Sequence, residues 1–138
     1  MAKSVRDLMS SNPRSVSSDT SVVEAARTMR DEDVGLLPVV DGDRLTGTVT
    51  DRDITLRVVA EQKDPQSVQV REIASTNLVT VDPQQDLDEA LRLMARHQVR
   101  RLPVVDASGR LVGVLAQADV AREASVSQTG ELVEEISK

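Results

Sequence analysis

The chain has 138 residues, 39% of them apolar and 29% charged, which is the balance of a folded protein with room for one ordinary domain or two very small ones. It has no cysteine and a single histidine, His97, so disulfides, zinc–thiolate centres, iron–sulfur clusters, thiol nucleophiles and multi-histidine metal sites within one chain are excluded. A net charge of −6 and the complete lack of Phe, Trp and Tyr argue against nucleic acid, whose phosphates would be repelled and whose bases would find no ring to stack on.

No apolar run approaches the ~18 residues of a membrane span. The opening MAKSVRDLMS has no apolar stretch of a secretory signal, so a cytoplasmic protein is expected. The core must be aliphatic. It draws on 22 valines, 13 leucines, 3 isoleucines and 4 methionines, and valine at that frequency favours strands.

In chain order the expected elements are a short strand near 14–16 and a helix opening at Ser21, with Glu24 three residues on as in a capping box. Val22, Ala25, Ala26 and Met29 share one face of that helix. A strand at 36–40, a turn at Asp41-Gly42-Asp43, a returning strand at 44–50 and a helix from Asp51 follow. The polar, Pro65-containing stretch near 61–69 reads as a linker. The pattern then repeats: a strand near 78–81, a helix opening at Asp86 with Leu87, Ala90, Leu91 and Met94 on one face, strands at 101–105 and 110–116, and a helix from about Gln117.

The repetition extends to identity. Val5-Arg6-Asp7-Leu8 matches Val70-Arg71-Glu72-Ile73, and Leu37-Pro38-Val39-Val40-Asp41 recurs intact as Leu102-Pro103-Val104-Val105-Asp106, all at an offset of 65. One inserted residue in the turn changes the offset to 66, after which Asp53 matches Asp119. Two copies are too few for a solenoid and suit a pseudo-two-fold pair. The expected organisation is 1–61 as the first unit, 62–69 as linker, 70–128 as the second unit, and 129–138 as a tail with a short helical stripe.

The repeated L-P-V-V-D followed by G-x-x-x-x-x-D resembles the CBS (cystathionine-β-synthase) domain family, and two copies in tandem resemble the CBS pair, or Bateman module. The resemblance runs from about Val5 to Glu123. It is especially close to small stand-alone bacterial CBS pairs through Thr50-Asp51-Arg52-Asp53-Ile54 and His97-Gln98-Val99-Arg100-Arg101-Leu102-Pro103. It implies an α/β protein in α+β layers, with two β-α-β-β-α units packed sheet to sheet about a pseudo-two-fold axis. It also implies a regulatory module rather than an enzyme. Such a module binds an adenine nucleotide of the AMP, ADP or ATP type, or a related adenosyl ligand, in the inter-unit cleft, and dimerises. Its regulatory role implies an effector protein as a further partner. The alternative is a ligand-independent dimerising scaffold.

Thr50 ends a strand and Asp53 lies three residues on, at a helix start. That spacing places a hydroxyl and a carboxylate beside one helix N-terminus, where they serve either as helix caps or as contacts to phosphate and ribose. The resemblance favours the second role. It also assigns Arg100 or Arg101 to the phosphate end, and Val5, Val34 and the backbone near Thr48 to the base. The second copy keeps Asp119 but has Ala116 in place of the threonine, and the first has Gly35 and Leu36 where the second has the arginines. A weaker second cleft at Asp119 is therefore expected. His97 reads as a helix-end residue, and Asp41, Asp43, Asp51 and Asp53 as turn and cap chemistry. A homodimer is expected through the final helices of the units, with Ile54, Val58 and Val59 close together on the first.

Overall fold

The structure, a computed structural model, describes residues 3–127, so the tail expected at 129–138 lies outside the described residues. Its elements are α1 (Val5–Leu8), β1 (Ser10–Ser11), α2 (Val22–Glu32), β2 (Leu36–Asp41), β3 (Arg44–Thr50), α3 (Asp51–Ile54), α4 (Leu87–His97), β4 (Arg101–Val105), β5 (Leu111–Ala116) and α5 (Gln117–Ser127). A π-helical stretch, Thr55–Val59, continues α3, and Val70–Glu72 forms one 3-10 turn.

Local chemistry fixes the helix ends. The Ser21 hydroxyl accepts the Glu24 N–H at 3.2 Å and caps α2. Both α2 and α4 end on a residue in the left-handed conformation, Asp33 and Gln98, each at φ 55°. The expected apolar faces turn inward: Val22, Ala25 and Met29 are buried on α2, and Ala90 and Met94 on α4, while Ala26 stays exposed.

The chain folds into two compact units that cut across the sequence repeats. One, the Asp53 unit, comprises Asn12–Leu78 and Ala107–Leu111; the other, the Asp119 unit, comprises the N-terminal segment to Ser11, Val79–Asp106 and the chain from Val112. Each unit holds the opening segment of the other repeat. In the Asp53 unit the Val70 N–H donates to Thr20 O at 2.8 Å and the Val22 N–H to Val68 O at 2.9 Å. In the Asp119 unit the Val5 N–H donates to Gln85 O at 2.9 Å. Val68, within the stretch read as linker, and Val70 and Ile73 beyond it, are buried in the core of the Asp53 unit. Val5 is buried in the core of the Asp119 unit with Met94, Leu102 and Leu115.

The two units repeat one strand layout. β2 and β3 pair antiparallel from Leu36↔Thr50 to Asp41↔Arg44, with a bulge at Val39/Val40. Val16 bridges the outer side of β2 in parallel, and Ser75 bridges Thr48 on β3. In the Asp119 unit Val81 bridges Val104 of β4, and β1 pairs with β5 at Ser10↔Val114 and Ser11↔Gly113. The strands expected at 14–16 and 78–81 are thus single bridges. Proline explains the shortening. Extending either bridge toward the N-terminus needs a donor at Pro38 or Pro103, and proline has no N–H.

On the other side of the Val16 bridge a side chain takes over. Asp41 Oδ1 accepts the Ser18 N–H at 3.0 Å and the Ser18 hydroxyl at 2.9 Å, and its Oδ2 accepts the Thr46 hydroxyl at 2.9 Å. The Ser18 N–H above all, then the Thr46 and Ser18 hydroxyls, hold the Asp41 carboxyl below its usual range. A depressed carboxyl contributes stability that is complete above the unfolded-state value, near 3.9, and is lost as pH falls through the folded value. Asp41→Ala should therefore unfold more easily than the parent at neutral pH, and the gap should close as the pH is lowered past about 4. Denaturant midpoints across that range check this; a gap independent of pH would contradict it.

Candidate functional site

The junction of β3 and α3 brings Thr50 and Asp53 together within the Asp53 unit. Thr50 is the N-cap: its hydroxyl accepts the Asp53 N–H at 3.1 Å, and Asp53 Oδ2 accepts the Thr50 N–H at 2.9 Å. This is a reciprocal capping box, so the cap role is occupied. It does not consume the pair, because the box leaves Asp53 Oδ1 outside it and both residues are half-buried rather than enclosed. A carboxylate locked by its own helix start is pre-oriented, which lowers the ordering cost of any further contact.

The helix that Asp53 opens is irregular. The Ala60 N–H donates to Thr55 O at 2.9 Å and the Lys63 N–H to Val58 O at 2.9 Å, both five-residue steps. On this stretch Val58 is completely buried in the core, while Leu56 is 46% and Val59 64% exposed. The expected apolar trio is therefore corrected: Val58 serves the core, Ile54 packs partly against it, and the outward apolar pair is Leu56 and Val59. The interruption in helix winding has no clear sequence signature.

Other expected contacts divide between the units. Val34 and Thr48 are half-buried in the Asp53 unit, and Thr48 exchanges two backbone hydrogen bonds with Ser75, at 3.0 and 2.8 Å. Val5, Arg100, Arg101 and Asp119 all belong to the Asp119 unit. Val5 is fully buried there, Arg101 is half-buried and Arg100 exposed. The Arg100 carbonyl accepts the Gln117 N–H at 2.8 Å, as the Gly35 carbonyl accepts the Asp51 N–H at 3.0 Å in the Asp53 unit. Each unit thus ties the residue before its central strand to the first residue of its last helix.

The two aspartates have different neighbours. Asp119 has no hydroxyl at the cap position, since residue 116 is alanine, and its carboxylate is paired with the Arg122 guanidinium one turn on. Asp43 pairs with Arg110 at 3.0 Å. His97 is the exposed last residue of α4. Among the described residues no three His, Asp or Glu side chains gather as a metal site would require, and no helix is long and apolar enough to cross a membrane.

The CBS domain model matches twice, over residues 5–60 and 70–126. The chain is 45% identical over 118 residues to the CBS domain-containing protein YhcV of Bacillus subtilis, covering 86% of this chain and 83% of that protein. Its fold is similar to the crystal structure of Hypoxic Response Protein I with two coordinated zinc ions, with a TM-score of 0.80, 39% identity and coverage of 87% and 98%. It is also similar to the CBS domain pair of protein MJ0100 in complex with 5-methylthioadenosine and S-adenosyl-L-methionine, with a TM-score of 0.79, 28% identity and coverage of 89% and 96%. A third structure, CBSX2 in complex with AMP, matches at a TM-score of 0.79 and 30% identity, covering 92% and 99%. Two family matches, the mixed α+β units and these small relatives establish that the chain belongs to the CBS domain family, as a CBS pair.

Proposed function

We propose that this chain is a regulatory, non-enzymatic CBS-pair protein of the cytoplasm that binds an adenine nucleotide or a related adenosyl ligand. The observation that carries the reading is the Thr50–Asp53 pair at the β3–α3 junction, in a chain whose structural neighbours include complexes with AMP and with S-adenosyl-L-methionine. Asp53 would accept ribose hydroxyls, and Thr50 with the first N–H groups of the helix would take a phosphate or sugar oxygen. Val34 and the backbone at Thr48 would face the base, with Val5 a further candidate. Arg100 and Arg101 would supply positive charge to a phosphate. Asp119 would mark a second, weaker site. Ligand binding would then favour one arrangement of the pair over another and bias an effector protein.

Titration calorimetry with AMP, ADP, ATP and S-adenosylmethionine tests the reading. Heat with saturable binding to at least one of them is the expected result. No binding to any of the four would leave the alternative, a ligand-independent scaffold.

The same reading includes a homodimer. Leu56 and Val59 lie three residues apart on one helical stretch, both exposed, and apolar side chains left facing outward in this way mark interfaces. A second copy meeting this face across a two-fold axis closes the assembly without further growth. Light scattering should give about twice the 15.0 kDa chain mass. Val59→Glu should shift the particle to the mass of one chain with its melting transition retained. A monomer in the parent would refute the assignment.

A further inference from the structure

We infer that Arg122 is the residue that holds the second nucleotide site weak, by occupying the Asp119 carboxylate. The inference rests on the reading that Asp53 and Asp119 receive ribose, and it goes beyond it by naming a residue that sets the difference between them.

The geometry comes from two equivalent helix starts. Asp53 and Asp119 occupy the same place, the third residue of the helix that follows the hairpin. One turn further on, the matching positions hold Leu56 in the first copy and Arg122 in the second. Leucine offers a carboxylate nothing. Arg122, in contrast, donates from Nη2 to Asp119 Oδ1 as a direct ion pair.

The consequence follows from what a ribose needs. Its two vicinal hydroxyls are donors that seek both oxygens of an ionised carboxylate. At Asp53, Oδ2 takes a backbone N–H of the same helix start, an interaction that orients the group. At Asp119, a guanidinium holds Oδ1 with a charge-assisted bond and neutralises the acceptor. A sugar must displace that arginine or share the oxygen with it. The pair is exposed, at 71% for the arginine side chain and 31% for the aspartate, so the handicap is modest. Exposed pairs of this kind correspond to a change in affinity of about two- to fivefold. It acts on top of the missing hydroxyl at Ala116.

The test uses the full chain and two probes, AMP and adenosine, the second carrying the sugar without a phosphate. Calorimetry is run on the parent, Arg122→Leu, Asp119→Ala and the double variant. The expected result is that Arg122→Leu strengthens the weaker class of site about two- to fivefold for both probes, and leaves the tighter class unchanged. That gain should vanish in the Asp119→Ala background. It should also shrink as salt rises, because the parent's ion pair is screened. Three results overturn the inference while leaving the nucleotide reading in place: an unchanged weaker class, a gain that persists without Asp119, or AMP weakened while adenosine is unaffected. The last would make Arg122 a phosphate contact. If neither probe binds any of the four proteins, while the adenosyl ligands of the broader titration do not bind either, both the inference and the nucleotide reading fall.

Discussion

Asp53→Ala is expected to abolish nucleotide binding at the tighter site and to lower stability at once. Both effects would come from one carboxylate, which caps its own helix and would also receive the ribose hydroxyls. Oδ2 caps the Thr50 N–H at 2.9 Å, and its loss removes half of a capping box. Loss of a cap costs about 0.5–2 kcal/mol. The ribose contact is the larger effect, because hydrogen bonds to a charged acceptor are each worth about 1.5–3 kcal/mol and a sugar offers two. Binding weakened by two orders of magnitude or more is then expected. A second variant separates the roles. Asp53→Asn keeps an oxygen that can accept the Thr50 N–H while losing the charge. It should retain most of the melting temperature and still bind poorly. Calorimetry and thermal melts on both variants decide the matter, and undiminished binding in either would remove Asp53 from the site.

Gly47→Ala is expected to loosen the docked segment that the second repeat lends to the first. A Cβ at position 47 would lie 2.8 Å from the Ser75 carbonyl oxygen, a backbone atom that cannot swing aside. The Thr48 and Ser75 backbones bond to each other at 3.0 and 2.8 Å next to this contact, so pushing Ser75 away breaks that bridge. Gly113 plays the same part in the Asp119 unit, where a Cβ would meet the Ser10 carbonyl oxygen at 2.8 Å and the Met9 sulfur at 2.7 Å. Glycine is needed at both places because another backbone approaches closely. Overpacking of this kind costs about 1–3 kcal/mol. The local readout is amide exchange. In Gly47→Ala the Thr48 and Ser75 amides should exchange faster, while the β1–β5 pairing at Ser10↔Val114 keeps its rate relative to global unfolding. Gly113→Ala should show the reverse pattern. Unchanged exchange at Thr48 and Ser75 would show that the contact relaxes at no cost.

Much of this protein was legible in its residues. The family was legible as a resemblance carried by the repeated Leu-Pro-Val-Val-Asp motif, and the two copies from identity at a constant offset, while the hairpins and the helix starts follow from short-range rules: capping residues, glycine at turns, and apolar residues at helical or alternating spacing. Arg44–Thr50 is a strand because alternation buries Leu45, Gly47 and Val49 together. The pairing of Thr50 with Asp53 follows from a three-residue spacing at a strand–helix junction. Even the contrast of Leu56 with Arg122 was present once the copies were set at an offset of 66, though it had no meaning until the arginine was seen to hold the aspartate.

Tertiary structure decided the questions of partner choice. Val5 and Val70 are both fully buried and have nearly identical neighbours along the chain, so periodicity marks each as core without saying whose core. Only the fold shows that Val70 packs with the repeat before it and Val5 with the Asp119 unit. The reason is that burial depends on a residue's own chemistry, whereas docking depends on which of two similar surfaces the chain can reach with its backbone bonds satisfied. The same limit applies to the helix after Asp53. Its sequence marks Val58 and Val59 as equally apolar, and only the packing of the helix shows that the first turns inward and the second to the surface.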